Sequence, residues 1–269
     1  MNILSISDGS ERSTHAYLPY MAEAAGQEML LCDLCIDGCS LEQHWDNWRR
    51  ELPCYEYDIC LPGETDTRTV DEVALHEAVE DEEWDVITLR QSRSMSGVEE
   101  SYLPYLAELA EYCRMMQPKA KIMLIQPWTY DSDSADPSFR RLYGGDQDEM
   151  YRALTESCAK AAIESDIDII VPIGKAFQIA RQTPAGSRLT CDGYDGNELG
   201  CYLAGACLYE AAFGKSVTEN GFTLPAPLNE TVRCLSSAPN GSRKRHNKIK
   251  TLRMIRRDHT EFLRLYEFL

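Results

Sequence analysis

Short apolar segments alternate with helical patterns along most of this chain, and that alternation restricts its fold more than any other feature. The apolar segments read NILSI, EMLLCDLCI, DVITL, KIMLIQP and DIIVPI, and a helical pattern follows each of them along the chain. Five strand-then-helix units in series predict a parallel sheet with helices on both faces. Because strand crossovers are right-handed, the expected architecture is a three-layer αβα sandwich of the flavodoxin-like kind.

The polar segments at the carboxyl ends of these strands are where chemistry is expected, since ligands of such sheets bind in the crevice at that edge. These segments are SDGSERS, IDGCSLEQHW, RQSRSMSG, QPWTYDSDS and the later LTCDGYDGN. Between the second and third strands, CYEYDICLPG predicts an irregular or hairpin excursion, and TVDEVALHEAVEDEEW after it predicts a helix. The candidate site is therefore a cluster of loops that lie far apart in the sequence.

In this order and spacing, the loops resemble those of the SGNH (GDSL-like) hydrolase superfamily, and above all a bacterial branch directed at carbohydrates. The resemblance runs from about Ile3 to Gly214 and is carried by GCSLEQHW, WDVITLRQS, QPWTYDSDS, YGGDQDEMY and LTCDGYDGNELGCYLAGACLYEA. It implies ester hydrolysis without a metal or other cofactor. In that superfamily a serine attacks the ester carbonyl, a histidine takes the proton and an aspartate orients the histidine.

Carried over residue by residue, the resemblance leaves the two reacting side chains altered. The nucleophilic serine belongs three residues after the last apolar position of the first strand, and that residue is Gly9; Ser10 lies one residue further on. In the last block, Asp192 is kept, but Asp195 stands where the histidine is expected. An unperturbed aspartate, with a pKa of about 4, is a poor base toward a serine hydroxyl at neutral pH.

The resemblance also assigns an oxyanion hole, whose N–H groups would stabilise the anionic intermediate. The backbone N–H of Gly38 matches one donor, and Gln91 is the best amide donor of the third block. Among the five histidines, His15 lies close to the first corner and is a candidate base for Ser10. His44 matches the superfamily as well, where it coexists with the usual base, which favours a binding or structural role.

Other loop residues combine flat aromatic faces with carboxylates and an amide, a combination that suits sugar hydroxyls and C–H faces. The predicted substrate-binding residues are Asp8, His44, Trp128, Tyr130, Asp146 and Gln147. We therefore expect a small-molecule or carbohydrate ester as the ligand. Aromatic residues that cover the sheet edge are the alternative interpretation of the same pattern.

The sequence thus predicts an ester hydrolase of acylated or acetylated carbohydrate with a rearranged catalytic set. Its members would be the nucleophile Ser10 with Gly9, the oxyanion donors Gly38 and Gln91, and the acids Asp192 and Asp195. One alternative is a catalytically inactive carbohydrate-binding or regulatory relative. Another is a metal-assisted carboxylate site on Asp8, Asp192 and Asp195, because converging carboxylates attract a cation.

Charge is distributed unevenly along the chain. The formal net charge is −17, yet residues 240–269 hold nine Lys/Arg and three Asp/Glu, so the remainder carries −23. So acidic a body is not expected to bind nucleic acid or an anionic membrane. We predict a hydrolase-like domain over residues 1–220 and an extension over 221–269, whose basic tail is expected to lie on the acidic body or on a partner; binding of an anion or nucleic acid by the tail is the alternative.

The eleven cysteines do not suggest a disulfide scaffold in a chain of this length, and we predict that most are reduced and buried. Cys32, Cys35 and Cys39 have a metal-like spacing, but they lie in an apolar strand pattern, which favours a core role. No apolar run approaches the about 18 residues of a transmembrane helix. Since the first residues also lack the pattern of a signal peptide, a cytoplasmic location is expected.

Overall fold

The computed structural model describes residues 1–183 and 188–222, and within them seven strands form one sheet. The strands are β1 Asn2–Ser7, β2 Leu30–Cys35, β3 Tyr55–Cys60, β4 Arg68–Val73, β5 Val86–Arg90, β6 Lys121–Ile125 and β7 Ile169–Val171. Their order across the sheet is β4-β3-β2-β1-β5-β6-β7. Strands β2, β1, β5, β6 and β7 are parallel, as the sequence predicts, while β3 and β4 add an antiparallel edge.

Helices cover both faces of this sheet. They are α1 Glu11–His15, α2 Leu18–Ala24, α3 Leu41–Arg49, α4 Leu75–Asp81, α5 Tyr105–Met116, α6 Pro137–Tyr143, α7 Gln147–Glu164, α8 Ile173–Arg181 and α9 Glu198–Phe213. In the described part of the chain, short 3₁₀ turns lie at Arg93–Met95, Glu99–Ser101 and Val217–Glu219. One apolar cluster packs α3, α4, α5 and part of α7 on one face, and a second packs α2, α8 and α9 on the other. The architecture is the predicted three-layer αβα sandwich.

Strand β1 lies at the centre and contributes to both layers. Leu4 and Ile6 belong to the first cluster and Ile3 to the second, as the two-residue period of a strand requires. All three side chains are almost completely buried. Packing against both helical layers therefore fixes the position of β1, and with it the start of the loop that follows.

The helix that the sequence predicts over residues 69–84 is wrong in its first part. Residues Arg68–Val73 form β4, and helix α4 covers only Leu75–Asp81. The expected excursion at residues 54–63 supplies β3, which pairs with β4 through Tyr57 and Val70. Cross-strand pairing and the β-branched residues of this stretch favour the strand over the helix that the periodicity alone suggests.

The helix predicted over residues 14–26 is divided in two. Helix α1 ends at His15, and α2 begins at Leu18 with Tyr17 as its N-cap. Pro19 stands in the first turn of α2, where its missing N–H is not needed. The division places the short α1 directly after the corner that follows β1.

The ten cysteines among the described residues are all free thiols and most are buried, as predicted. Within the same residues, no helix is both long and apolar enough to cross a membrane. The basic tail over 240–269, and all of the predicted extension except residues 221 and 222, lie outside the described part of the chain.

Candidate active site

The corner after β1 pairs a serine with a carboxylate. Only 3% of Asp8 and 6% of Ser10 are exposed. The Ser10 hydroxyl donates a hydrogen bond to Asp8 Oδ1, and the Ser10 backbone N–H donates to the same oxygen over 3.3 Å. The corner's hydroxyl is therefore tied to Asp8, which the sequence places among the substrate-binding residues.

Two buried arginines neutralise Asp8. Arg90 Nε lies 3.4 Å from Asp8 Oδ1, and the backbone N–H of Arg93 donates to Asp8 Oδ2 over 3.1 Å. Burial alone would raise the pKa of Asp8, but the guanidinium groups of Arg90 and Arg93 outweigh it and lower the pKa below its usual value. A carboxylate held ionised in this way is a weak acceptor for the proton of a serine hydroxyl.

Arg93 joins this corner to the last loop of the site. Its guanidinium carbon lies 3.8 Å from the ring centroid of Tyr194 and 4.7 Å from that of Trp128. Nη1 donates to the carbonyl oxygen of Tyr194 and lies 3.9 Å from Asp195 Oδ1. Arg93 thus touches both segments, residues 8–10 and residues 192–195, that the sequence places in one catalytic set.

Gly9 stands where the sequence analysis expects the nucleophile, and a side chain there would meet the exposed side chain of Asp37. The φ angle of Gly9 is +83°, a conformation that L-residues rarely adopt. A Cβ at this position would lie 2.1 Å from Asp37 Oδ1 and 3.3 Å from Asp37 Cα. A serine at position 9 would require Asp37 to move.

Both predicted oxyanion donors already have acceptors inside the protein. The N–H of Gly38 donates to the carbonyl oxygen of Asp8 over 2.9 Å. The amide nitrogen of Gln91 donates to the carbonyl and hydroxyl oxygens of Ser101 over 2.8 and 2.9 Å. Gln91 is fully buried, and its amide oxygen accepts from the N–H of Leu41. Both groups are therefore engaged within the protein, and their role as oxyanion donors stays a prediction.

The last loop is shaped by Asp192. Its Oδ1 accepts hydrogen bonds from the N–H groups of Tyr194 and Asp195 over 2.8 and 2.7 Å, which is the pattern of an Asx turn. The side chain of Asp195 is 51% exposed. Partial burial raises the pKa of Asp195, Arg93 opposes that rise and Asp192 adds to it. Asp192 therefore has a structural role, and Asp195 presents a carboxylate to solvent at the edge of the site.

Two of the predicted sugar-binding aromatic residues lie in the interior. Trp128 is completely buried, stacks on Phe177 with ring centroids 4.7 Å apart, and donates to the Tyr194 carbonyl oxygen over 3.1 Å. Tyr130 is also buried and packs against Phe139. The burial of both rings agrees with the alternative interpretation, coverage of the sheet edge, and their role in substrate binding stays a prediction.

The other predicted binding residues are equally engaged. His44 is completely buried, with its Nδ1 3.0 Å from the hydroxyl oxygen of Tyr55, and burial lowers the pKa of His44 to about 4. Asp146 is exposed but caps helix α7 by accepting from two backbone N–H groups. Gln147 donates from its amide to the Tyr130 carbonyl oxygen over 2.6 Å. All three side chains therefore make hydrogen bonds within the protein.

His15, the candidate relocated base, contacts a different serine. Its Nε2 lies 2.9 Å from Ser5 Oγ in the middle of β1, and Thr88 donates to the same hydroxyl over 2.9 Å. Ser5 is fully buried. The ring nitrogen that the sequence offers to Ser10 is therefore bonded to Ser5.

One cluster of side chains in the described residues could hold a metal ion, and it is not the predicted one. Asp33, Cys35 and Asp58 bring their ligand atoms within 4.8 Å of one another, whereas Asp8, Asp192 and Asp195 do not form such a group. Arg12 already places its guanidinium 3.6 Å from the Cys35 sulfur and 3.4 Å from Asp58 Oδ2. A metal would have to displace that positive charge.

Sequence reasoning missed the residues that dominate the electrostatics of the site. Arg90 and Arg93 follow the buried strand DVITL directly, and Asp37 precedes Gly38. An arginine at the end of a buried parallel strand needs a buried carboxylate, because an unpaired charge there is costly. That signal in the segment RQSR could have pointed to the pairing with Asp8.

The sheet, its two helical layers and the loops at the strand ends define the class of this protein: its fold is that of the SGNH (GDSL-like) hydrolases. A protein from Slackia heliotrinireducens, whose classification as an SGNH hydrolase is itself a prediction, is 20% identical over 78% of this chain and 97% of its own, with a TM-score of 0.55. An acetylxylan esterase from Geobacillus stearothermophilus, solved as a catalytic mutant, is 12% identical over 80% of this chain and 95% of its own, with the same TM-score. At these identities the likeness concerns the fold alone.

The sequence model of DUF4886, a domain of unknown function, matches residues 2–236, and the chain therefore belongs to the DUF4886 family. A DUF4886 family protein from Bacteroides uniformis has a crystal structure that is 30% identical over 86% of this chain and 90% of its own, with a TM-score of 0.81. No curated protein sequence matches the chain. The family match extends past residue 220, where the sequence analysis places a domain boundary.

Proposed function

We propose that this protein is a catalytically inactive, ligand-binding member of its fold class. The observation that carries this conclusion is at Gly9, where Asp37 Oδ1 lies 2.1 Å from the place of a Cβ. A side chain at the expected position of the nucleophile would therefore meet the exposed carboxylate of Asp37. The hydroxyl of Ser10, the next residue, donates a hydrogen bond to Asp8 and is almost completely buried.

Three other groups that could assist acyl transfer at this corner are engaged within the protein. Such a reaction needs a base that accepts the hydroxyl proton and donors that stabilise the oxyanion. Asp8 is kept ionised by Arg90 and Arg93, so it is a weak base. The donors at Gly38 and Gln91 are bonded to Asp8 and Ser101. These contacts support binding without turnover.

The ligand class that we propose is an acetylated or acylated carbohydrate. The acetylxylan esterase with the same fold acts on a substrate of that kind, as its name states. At the edge of the site, Asp37, Asp192 and Asp195 are exposed. Carboxylates are acceptors for sugar hydroxyls, so these three groups offer a polar rim to such a ligand.

The first experiment measures hydrolysis of p-nitrophenyl acetate, p-nitrophenyl butyrate and acetylated xylo-oligosaccharides by the wild-type protein and by Ser10→Ala. We expect both proteins to remain at the buffer rate. A wild-type rate above background that Ser10→Ala abolishes would overturn the proposal and make Ser10 the nucleophile of an ester hydrolase. A rate that Ser10→Ala leaves unchanged would point to a different nucleophile.

The second experiment measures binding by calorimetry, with acetylated and deacetylated xylo-oligosaccharides as matched ligands. We expect the acetylated ligand to bind, and Asp195→Asn to weaken it about fivefold through loss of a charge-assisted hydrogen bond. Glu111→Gln, an exposed change on α5, serves as the control and should bind as the wild type does. Absence of binding by both ligands would remove carbohydrate as the ligand class.

A third experiment tests whether the pocket can catalyse ester hydrolysis once positions 9 and 195 carry the residues of the superfamily. The double variant Gly9→Ser/Asp195→His restores both side-chain types of the superfamily. We expect no gain in esterase rate, because the Gly38 and Gln91 donors stay bonded and Asp37 obstructs position 9. A clear gain would show that these donors can be released and that the site is only two substitutions from activity.

A further inference from the structure

A groove of about 490 Å³ lies beside the loop cluster, between α2 and the beginning of α9. Its lining includes Tyr17, Tyr20, Gly196, Glu198 and Phe222, and we call it the aromatic groove. Gly196 follows Asp195 in the chain, so the groove adjoins the edge of the candidate site. None of the residues to which we assign a role in ligand binding at that site lines it.

Three aromatic rings form walls of this groove. The ring centroids of Tyr17 and Tyr20 are 6.5 Å apart, those of Tyr17 and Phe222 are 5.9 Å apart, and those of Tyr20 and Phe222 are 6.1 Å apart. The three ring planes are tilted against one another by 50°, 50° and 38°. The three rings therefore contact one another and together form an aromatic surface in the lining of the groove.

The only charged side chain in the lining of this groove, within the described residues, is that of Glu198. Glu198 is exposed at the first position of α9, and no ion pair in the described part of the chain includes it. The chain outside residues 240–269 carries a charge of −23, so the surrounding field also attracts cations. No amide or guanidinium side chain accompanies the rings in the described lining. The described lining therefore offers few hydrogen-bonding side chains to a neutral sugar.

We propose that the aromatic groove binds a compact alkylammonium cation, with its methyl groups against the three rings and Glu198 as the counter-ion. The faces of aromatic rings carry negative potential, and rings arranged around a quaternary ammonium recognise it through cation–π attraction. A carboxylate at the rim adds a favourable charge interaction at short range. This site goes beyond the proposed function and does not depend on it, because neither the rings nor Glu198 takes part in the ligand binding proposed for the loop cluster.

The test uses the full chain and two ligands of nearly equal shape. Choline chloride and its neutral carbon analogue 3,3-dimethylbutan-1-ol are titrated by calorimetry at matched ionic strength. We expect choline to bind with a Kd on the order of 1 mM and the neutral analogue to bind about tenfold more weakly. Equal affinity for the two ligands would overturn the proposal, since the groove would then be selecting apolar shape alone.

Substitutions locate the site within the groove. We expect Tyr20→Leu and Glu198→Gln each to weaken choline binding about fivefold, while Tyr20→Phe keeps the ring and the affinity. Tyr20 is 40% exposed, so these changes should leave the fold intact, which a thermal melt verifies. Glu111→Gln, on the opposite helical layer, is the matched control. Choline affinity that neither groove variant changes would place the cation elsewhere and overturn the assignment.

Failure here is distinct from failure of the proposed function. Choline binding tests the aromatic groove. Ester hydrolysis tests Ser10, and sugar binding tests Asp195. Competition of acetylated xylo-oligosaccharide for the choline site would also count against the proposal, because it would make the groove part of a sugar site.

Discussion

The middle of β1 and its carboxyl end each hold a serine with a polar partner, and the two partners are of opposite kinds. In the middle, Ser5 Oγ lies 2.9 Å from His15 Nε2 and is completely buried. At the end, Ser10 donates to Asp8, which is held ionised by two arginines. The serine–histidine contact that hydrolysis needs is present in this molecule, but at a depth that no ester reaches. A catalytic pair is thus defined by its place at the strand end as much as by its geometry.

The two regions also differ in what stabilises them. The contacts of Ser5 with His15 and Thr88 are single hydrogen bonds inside the sandwich, each worth about 1 kcal/mol. The carboxyl end instead depends on one carboxylate facing two buried guanidinium groups. Removing one member of a buried ion network leaves the others uncompensated, so substitutions at the end should cost much more than substitutions in the middle.

The largest effect is expected for Asp8→Asn, which removes the carboxylate facing Arg90 and Arg93. Since both side chains are fully buried, we expect the free energy of unfolding to fall by about 3–5 kcal/mol, measured by chemical denaturation. Asp133→Asn is the control: Asp133 is 73% exposed in its pair with Arg188, and its loss should cost less than about 1 kcal/mol. Equal costs at the two positions would contradict the ionic account of the strand end.

The same carboxylate gives a pH dependence with a defined sign. The pKa of Asp8 is lower in the folded chain than its ordinary value of 3.8. Its stabilisation is therefore fully present above that value and is lost as the pH falls through the folded pKa. Asp8→Asn should flatten the acid limb of the stability curve. An unchanged acid limb would show that other carboxylates control acid unfolding.

His44, beneath the strand end, should give the next largest effect. Burial lowers the pKa of His44 from 6.5 to about 4, so the folded state resists protonation. Stability is then full above pH 6.5 and decreases as the pH falls toward 4, by about 3 kcal/mol. Denaturation of the wild type and His44→Gln between pH 7 and 4 measures this loss, which the variant should lack. Parallel curves for the two proteins would contradict the buried, neutral histidine.

Gly9→Ser tests the filled position of the nucleophile. We expect a loss of about 2 kcal/mol, part from the left-handed backbone and part from the contact with Asp37. Gly63→Ser is a matched control, because Gly63 has a similar φ of +78° but nothing within 4 Å of its Cβ position. In an Asp37→Gly background the excess cost at position 9 should disappear. If Gly9→Ser costs no more than Gly63→Ser, Asp37 does not obstruct the site.

The smallest effect is expected in the middle of β1. Ser5→Ala removes the hydroxyl between His15 and Thr88 and should lower the free energy of unfolding by about 1 kcal/mol. A double-mutant cycle with His15→Gln should give a coupling energy of about 1 kcal/mol or less. Ligand binding at the loop cluster should be unaffected. If Ser5→Ala weakened ligand binding as much as Asp195→Asn does, the middle of β1 and its carboxyl end would not differ in function.

The fold was predictable because it depends on periodicity, and the sequence shows that periodicity in most segments. The exception is β4: the stretch TVDEV lies in a segment that also reads as a helix, and only its pairing with β3 makes it a strand. This pairing joins two strands that are neighbours in the chain, and the periodicity of the second segment alone does not show it. The meeting of the five loops was predictable for the opposite reason, since parallel strands bring their carboxyl ends to one edge.

The state of individual site residues was not predictable from the sequence. Whether Trp128 faces solvent or the interior depends on Phe177, which comes from a helix that lies far along the chain. The hydrogen bonds of Gly38 and Gln91 end on Asp8 and Ser101, which the sequence does not indicate. Such contacts depend on distances between loops, which residue types and spacing do not specify.

The position of Asp37 beside Gly9 couples two loops of the site. A Cβ at position 9 would lie 2.1 Å from Asp37 Oδ1, so a larger residue there would turn the exposed Asp37 side chain away from the corner. The residue at position 9 therefore also decides where the carboxylate of Asp37 lies.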